Sequence, residues 1–382
     1  MNNTPKLRFP EFNDQWNEKK LGEIFSITAG GDIKSENVNF QKNEIFKYPI
    51  YANAEKNDGL YGYSNIYKID KNCITVAGRG VNLGIAHARD FKFYPIVRLL
   101  ILLPKIEQSI YFFEYAINLI SFNIESTGVP QLTAPQIKNY KLYFPTLPEQ
   151  QKIAEFLTAV DKQIDNLKLI IDNLKKYKKA VMQKIFAVKE QDLTTFKKLS
   201  NLISNRFKDE NGNDFPEWEE KTFNEIFISI STKKHQIKNI EILETGKHFV
   251  VDQGQSKIAG YSNDNEKLFK NIPIIIFGDH TTILKYIDFE FIVGADGTKI
   301  LKNKIGNLLY LYYYLTFNNI NSEGYKRHFS ILNEIIIKFP CLSEQQKIAD
   351  FLSSIDERIG NYELRITNCK TWKKGLLQEM FV

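Results

Sequence analysis

The sequence predicts an α/β chain: two α/β domains separated by two long helices that form an antiparallel coiled coil, the whole arranged as a pseudo-two-fold internal repeat. Three observations predict this. The segment at 140–164, YKLYFPTLPEQQKIAEFLTAVDKQI, returns 195 positions later as IIIKFPCLSEQQKIADFLSSIDERI. A second box, Trp16-x-Glu18-Lys19-x-Leu21-x-Glu23-Ile24-Phe25, returns as Trp218-x-Glu220-Lys221-x-Phe223-x-Glu225-Ile226-Phe227. After each copy of the first box, apolar residues recur at heptad spacing, while the stretches between the boxes diverge almost completely.

The elements follow in order. Residues 1–146 form the first domain, with β-like runs at 73–77 and 93–103 broken by Gly and Asn turns and a helical stretch at 110–122. Residues 147–187 form the first long helix. Pro148 suits its first turn, and Ile153, Leu157, Val160, Ile164, Leu167, Ile171 and Leu174 make its apolar stripe. Residues 188–340 form a second domain of similar design, with β-like runs at 273–277 and 289–293 and a helical stretch at 307–318. Faint echoes link the two domains: Tyr61-Gly62-Tyr63-Ser64-Asn65 answers Ala259-Gly260-Tyr261-Ser262-Asn263, and Gly78-Arg79-Gly80 answers Gly278-Asp279-His280. Residues 341–382 form the second long helix, with Ser343 placed to cap it and a stripe of Ile348, Leu352, Ile355, Ile359, Tyr362, Ile366 and Cys369.

A helix of ~38 residues is ~57 Å long at the α-helical rise, and two apolar stripes of that length need a partner. Equal length and a shared break point favour mutual pairing. Lys178 interrupts the first stripe before Val181 and Ile185 resume it, and Lys373 interrupts the second before Leu376 and Met380. A polar residue at such a position sets helix register. Antiparallel pairing is expected because it relates the duplicated halves by a two-fold.

The composition is that of a globular chain, 43% hydrophobic and 25% charged over 382 residues. No stretch approaches the ~18 consecutive apolar residues of a membrane span, and the start, MNNTPKLRF, lacks the apolar core of a signal peptide, so a cytoplasmic location is expected. Cys73, Cys341 and Cys369 lie far apart, and His87, His235, His248, His280 and His328 show no metal-ligand spacing. No phosphate loop, amino-methyltransfer motif or Gly-rich cofactor loop occurs. Asp214 with Glu219-x-Lys221 reads as the solvated start of a helix rather than a nuclease cluster, and the lysines at 175–179 read as a solvated helix face. The net charge of +6 permits a polyanionic partner without demanding one.

With the repeated EQQKIA box, the heptads and the WxEKxLxEI box in hand, the chain resembles the specificity (S) subunit of type I restriction-modification systems. The resemblance covers the whole length in the order variable domain, helix, variable domain, helix, and Phe9-Pro10-Glu11 and Phe215-Pro216-Glu217-Trp218 look like the starts of the family's domains. It implies two target recognition domains, each reading half of a split sequence in double-stranded DNA. It also implies helices that set the gap and dock two methylation (M) subunits, with restriction (R) subunits joining in the full complex. On that footing the chain is no enzyme, has no catalytic residue or metal, and takes no cofactor. S-adenosylmethionine, ATP and Mg would belong to partner subunits. A stand-alone DNA binder or a coiled-coil adaptor without restriction partners stays open.

Sequence is read at base edges chiefly by Arg, Lys, Asn and Gln. The expected readers in the first domain are Tyr63, Ser64, Asn65, Arg79, Asn82 and Gln131, the last in the loop 127–131, with Arg79 between two glycines foremost. Those in the second are Tyr261, Asn263, His280, Thr281, Lys326, Arg327 and His328. The expected spacer and docking residues are Gln150, Gln151, Lys152 and Phe156 in the first box and Gln345, Gln346, Lys347 and Phe351 in the second.

Overall fold

The computed structural model describes residues 3–53, 57–122, 130–186, 207–294, 296–321, 324 and 326–382. The expected domain boundary at 187/188 lies outside these. The chain divides into two compact units: Met1–Lys168 with Leu364–Val382, and Leu169–Glu363. Each unit therefore holds part of both long helices, Leu147–Phe186 and Leu342–Met380.

In the first unit the Trp16 box opens on a strand. Asn17–Lys20 is a strand, paired antiparallel with Lys141–Phe144 so that Asn17 faces Phe144. Alternation explains the ribbon: Leu142 and Phe144 are buried while Lys141 is exposed. A single helical turn, Leu21–Ile24, follows, with the Glu23 carboxylate accepting from the Lys20 N–H at 2.7 Å. The main sheet orders Phe25–Ala29, Leu100–Pro104, Cys73–Val76 and Ala86–Arg89, all antiparallel. A smaller sheet orders Val38–Asn39, Leu60–Ser64, Tyr48–Tyr51 and Tyr94–Pro95, its last pair parallel. The 93–103 run is thus two strands in two sheets, divided at Val97 and Arg98. The helix Ile110–Asn118, capped by the Ser109 hydroxyl accepting from the Phe112 N–H, buries Phe112, Phe113 and Ile117. They join Trp16, Leu157 and Val160 of the first long helix and Leu376 and Met380 of the second in one core. Full burial of a side chain such as Leu157 is worth roughly 2 kcal/mol.

The second unit repeats the plan. Glu219–Thr222 pairs with Ile336–Phe339, so Glu219-x-Lys221 itself sits on a strand, and the helical turn its sequence suggests begins only at Phe223, over Phe223–Ile226. The main sheet orders Phe227–Ile230, Thr298–Asn303, Ile274–Gly278 and Leu284–Ile287. The smaller sheet orders Gly260–Ser262, His248–Val251 and Phe291–Val293, again with a parallel last pair. The helix Leu308–Phe317 is capped by Asn307, whose side chain accepts from the N–H groups of Leu309 and Tyr310. Ser343, expected at the cap of the second long helix, is its second residue instead.

The two long helices pair antiparallel: Asp161 meets Lys373 in the first unit, and Lys178 meets Asp356 in the second. The pairing within the second unit runs the same way, since Lys175 reaches Glu363 at 2.9 Å. Both stripe-breaking lysines are thus ion-paired across the helices. Each carboxylate also accepts from a tyrosine on the helix packed against the main sheet, Tyr115 to Asp161 at 2.6 Å and Tyr313 to Asp356 at 2.7 Å. Burial first, and then the hydrogen bond to the carboxylate, raise the pKa of both tyrosines. Each Lys–Asp–Tyr clamp ties two long helices and one domain to a single carboxylate.

Candidate nucleic-acid interface

The EQ of each repeated box is architecture. Glu149 is buried, takes a bidentate bond from Arg8 at 2.7 Å on each oxygen, and accepts from the Trp16 indole at 3.3 Å. Glu344 accepts from the Trp218 indole at 2.9 Å. The glutamines that follow are buried as well. Gln150 donates to the Pro145 carbonyl and Gln108 and accepts from the Ser109 N–H. Gln345 donates to the Pro340 carbonyl and accepts from the Asn307 N–H. Each glutamine therefore fastens the cap of the domain helix to the start of a long helix. Both were expected to face a partner, and their burial removes them from any outer surface. Lys152 lies 5.7 Å from the Phe9 ring and Lys347 the same distance from Phe215. Phe156 packs edge-on to Phe9 and Trp372, and Phe351 to Phe207. Within the two boxes Gln151, Lys152 and Gln346 are exposed.

In the first unit four segments converge at one end of the strands. Asn53, just past Tyr48–Tyr51, is the link: its side-chain N–H donates to the Val97 carbonyl at 2.6 Å and its oxygen accepts from the Gly78 N–H at 2.8 Å. The Leu132 N–H donates to the Gly78 carbonyl at 2.9 Å. A Cβ at residue 78 would lie 2.9 Å from the Leu132 oxygen and 3.2 Å from that of Arg98, so the convergence requires glycine. Arg79 is half-buried, with Nε and Nη2 donating to Gln131 Oε1 at 3.2 and 2.7 Å. A neutral acceptor holds the guanidinium in place, and among the described residues no carboxylate pairs with it. Two of the expected readers are thereby brought together; Asn82 is half-buried on the same loop, and 127–129 lie outside the described residues. Tyr63 and Asn65 belong to the smaller sheet and its following turn, away from this convergence, and Ser64 is buried, its hydroxyl accepting from the Ile66 N–H. Ser64 therefore faces the interior, a correction to the expected set.

The same rim in the second unit is built on Gln253, which matches Asn53. Its amide donates to the Asp296 carbonyl at 2.7 Å and accepts from the His280 N–H at 3.1 Å, while the Thr281 hydroxyl donates to its backbone oxygen. Asp279 stands where Arg79 stands, but it is buried and accepts from the N–H groups of His328 and Phe329, both at 2.9 Å. It caps the turn Phe329–Leu332. His328 is 1% exposed, so its side chain is also removed from the expected readers. Lys326 and Arg327 are exposed beside it, and His280 Nδ1 lies 3.1 Å from the Lys326 carbonyl. Tyr261 and Asn263 again sit apart, on the smaller sheet, with Asn263 accepting from the Lys247 N–H.

Behind each rim a buried cation braces the strands. Arg89 lies 3.7 Å from the Tyr51 ring and donates to Asp58 O and Thr75 Oγ1. Lys285 donates to the carbonyls of Asp252 and Ser256. Burial lowers the pKa of both.

Sequence reasoning passed over Val97, Arg98, Asn53 and Gln253. Val97 and Arg98 adopt φ of 52° and 59°, and each left-handed non-glycine residue costs roughly 1–2 kcal/mol. Nothing in the local sequence marks such a turn. The repeated spacing from the smaller sheet's strand to Asn53 and Gln253 is the one signal that could have found the amide links. Among the described residues no cluster of His, Cys, Asp or Glu could hold a metal, and no helix is long and apolar enough to cross a membrane.

Comparison with known proteins agrees with this duplication. The family described as the type I restriction modification DNA specificity domain matches residues 13–176 and again 187–368. Two Mycoplasma pneumoniae proteins named as type I specificity subunits are similar: one is 38% identical over 138 residues, 36% of this chain and 38% of that protein. The other is 36% identical over 146 residues, 37% of this chain and 43% of that protein. The chain thus spans about two-fifths of the length of each. A type I restriction enzyme specificity subunit of Methanocaldococcus jannaschii is 26% identical over 289 residues, covering 67% of this chain and 65% of its own. The fold is that of the crystal structure of a type I restriction-modification S subunit from M. genitalium, with a TM-score of 0.67 at 19% identity over 99% of both chains.

Proposed function

The chain belongs to the type I restriction modification DNA specificity family, and on that premise we propose that it is the non-enzymatic specificity subunit of a type I restriction-modification complex. Each recognition domain reads one half of a bipartite target in double-stranded DNA. The paired helices set the unread gap and present docking surfaces to two methylation subunits. S-adenosylmethionine, ATP and Mg are bound by the partner subunits.

One observation carries this reading. Two domains of one plan place different side chains on the same strand-end rim: Arg79 with Gln131 in the first, and His280, Lys326 and Arg327 in the second. A shared frame with unlike rim chemistry is what reading two unlike half-sites requires, because base edges differ in their donor and acceptor patterns while phosphates do not. The exposed rim cations supply the sequence-independent attraction.

The test is expression of the chain with methylation subunits in a host lacking other modification, followed by sequencing that detects methylated bases. A split motif with a fixed gap is the expected result. Methylation of a continuous motif, or none above that of the methylation subunits alone, would overturn the proposal.

A further inference from the structure

Two consecutive non-glycine residues of the first domain, Val97 and Arg98, occupy the left-handed region. Valine suits it poorly because its branched Cβ crowds the backbone. Three hydrogen bonds pin the turn: the Asn53 amide to the Val97 carbonyl at 2.6 Å, the Val97 N–H to Gly31 O at 3.1 Å, and the Arg98 N–H to Gly30 O at 3.1 Å. A turn needed only to join two strands is made with less strain by glycine or asparagine. What this one achieves is display. Ile96 and Leu99 on either side are buried, whereas Val97 is 52% exposed and Arg98 points its side chain into solvent. That side chain makes no hydrogen bond or ion pair among the described residues. The turn is also locked to the Arg79 loop, since Asn53 bonds both.

We propose that the Val97–Arg98 turn is a base-reading element of the first recognition domain, with Arg98 donating to the O6 and N7 acceptors of a guanine and Val97 packing on the neighbouring base. The inference rests on the chain being a specificity subunit. Three features favour a base edge over a phosphate. A pinned backbone fixes direction, which base readout needs and phosphate contact does not. An exposed valine has no use at a phosphate, but a thymine methyl or base face offers it apolar surface. The corresponding connection in the second domain, between Phe291–Val293 and Thr298–Asn303, carries Gly294, Asp296 and Gly297 instead, with Asp296 exposed and accepting from Gln236 at 2.7 Å. An arginine in one copy and an aspartate in the other is the pattern of a reading position. A phosphate anchor would keep one sign of charge in both.

The experiment maps methylated motifs from hosts expressing the full complex with the wild-type chain, Arg98→Ala, Arg98→Lys or Val97→Gly. The wild type first establishes the split motif; its absence would refute the proposed function and not this inference. Given that motif, Arg98→Ala is expected to lose roughly 10- to 100-fold of discrimination at one guanine of one half-site, leaving the other half-site unchanged. Arg98→Lys should restore discrimination only in part, because an ammonium lacks the planar fork. Val97→Gly should keep the guanine and relax the adjacent position. Uniform loss of methylation without relaxed base choice would assign Arg98 to a phosphate and overturn the proposal, as would an unchanged motif. Thermal melts of each variant guard against misfolding, and Arg98→Ala, whose side chain has no partner, should melt with the wild type.

Discussion

Replacing Asp161 by asparagine removes the charge at the centre of the first clamp. Lys373 Nζ donates to both carboxylate oxygens at 2.6 and 2.8 Å, and Tyr115 donates at 2.6 Å. The side chains are 36% exposed for Asp161 and 21% for Lys373, so the pair lies between a surface bridge, worth ~0.2–1 kcal/mol, and a buried one whose breaking costs ~3–5 kcal/mol. With that screening, Asp161→Asn should cost about 2 kcal/mol, part of it the charge left on Lys373 near the Tyr115 ring. For a unit of this size the loss lowers Tm by about 4–8 °C. The decisive measurement is a double-mutant cycle with Asp161→Asn and Lys373→Met, in urea titrations followed by the fluorescence of Trp16 and Trp372 in a Trp218→Phe background. The expected coupling is about 1–2 kcal/mol. Strict additivity, with coupling under about 0.3 kcal/mol, would refute the clamp as an energetic link, however short its distances. The second clamp, with Lys178 19% and Asp356 41% exposed, should give a similar coupling.

Other outcomes follow from the same physics. Arg8→Ala leaves the Glu149 carboxylate, 1% exposed, with the Trp16 indole as its remaining donor of the three bonds described; stability should fall by about 3 kcal/mol, and a chain that melts like the wild type contradicts the buried pair. Burial pushes the Cys73 thiol up to about 12 from 9.0, so at pH 8 iodoacetamide should alkylate Cys341 and Cys369 and spare Cys73, as peptide mass mapping would report. Above pH 9 the unfolded chain ionises Cys73 while the folded chain keeps its proton, so this contribution to stability falls as pH rises toward 12, by about 1.4 kcal/mol per unit; Cys73→Ala should flatten that slope. Four residues inserted beside Asp172, about one helical turn, should change the unread gap of the methylated motif, and modification confined to the original spacing would count against the helices as a ruler.

The sequence reveals the long helices because an apolar stripe over about nine turns has no other economical explanation. It also marks Lys178 and Lys373 as special without naming their partners, which lie 178 and 212 residues away in the chain. Distance along the chain hides the Trp16 strand as well, since its partner is the closing segment Lys141–Phe144 and its local letters read equally as a helix start. The repeated glutamines mislead for another reason. Gln150 and Gln345 repeat because both domains need the same internal fastening, and repetition alone does not separate an inner contact from an outer one. Arg79 and Gln131 are legible as polar residues in glycine-rich loops, but Ser64 and His328 look the same in sequence and are buried. Val97 and Arg98 escape because left-handed backbone at ordinary residues has no compositional signature.

The buried Glu–Trp and Gln–Pro joints also bear on inheritance. Two bonds that cross the seam between a domain and its long helix use letters present in both copies: tryptophan to glutamate, and glutamine to the proline carbonyl. A stretch of gene running from one tryptophan codon to the next proline codon is therefore a cassette with standard couplings. Recombination at both ends of such a stretch would replace one domain's rim wholesale while the Trp–Glu and Gln–Pro joints are remade with the same letters, so the surface changes without those two fastenings being lost.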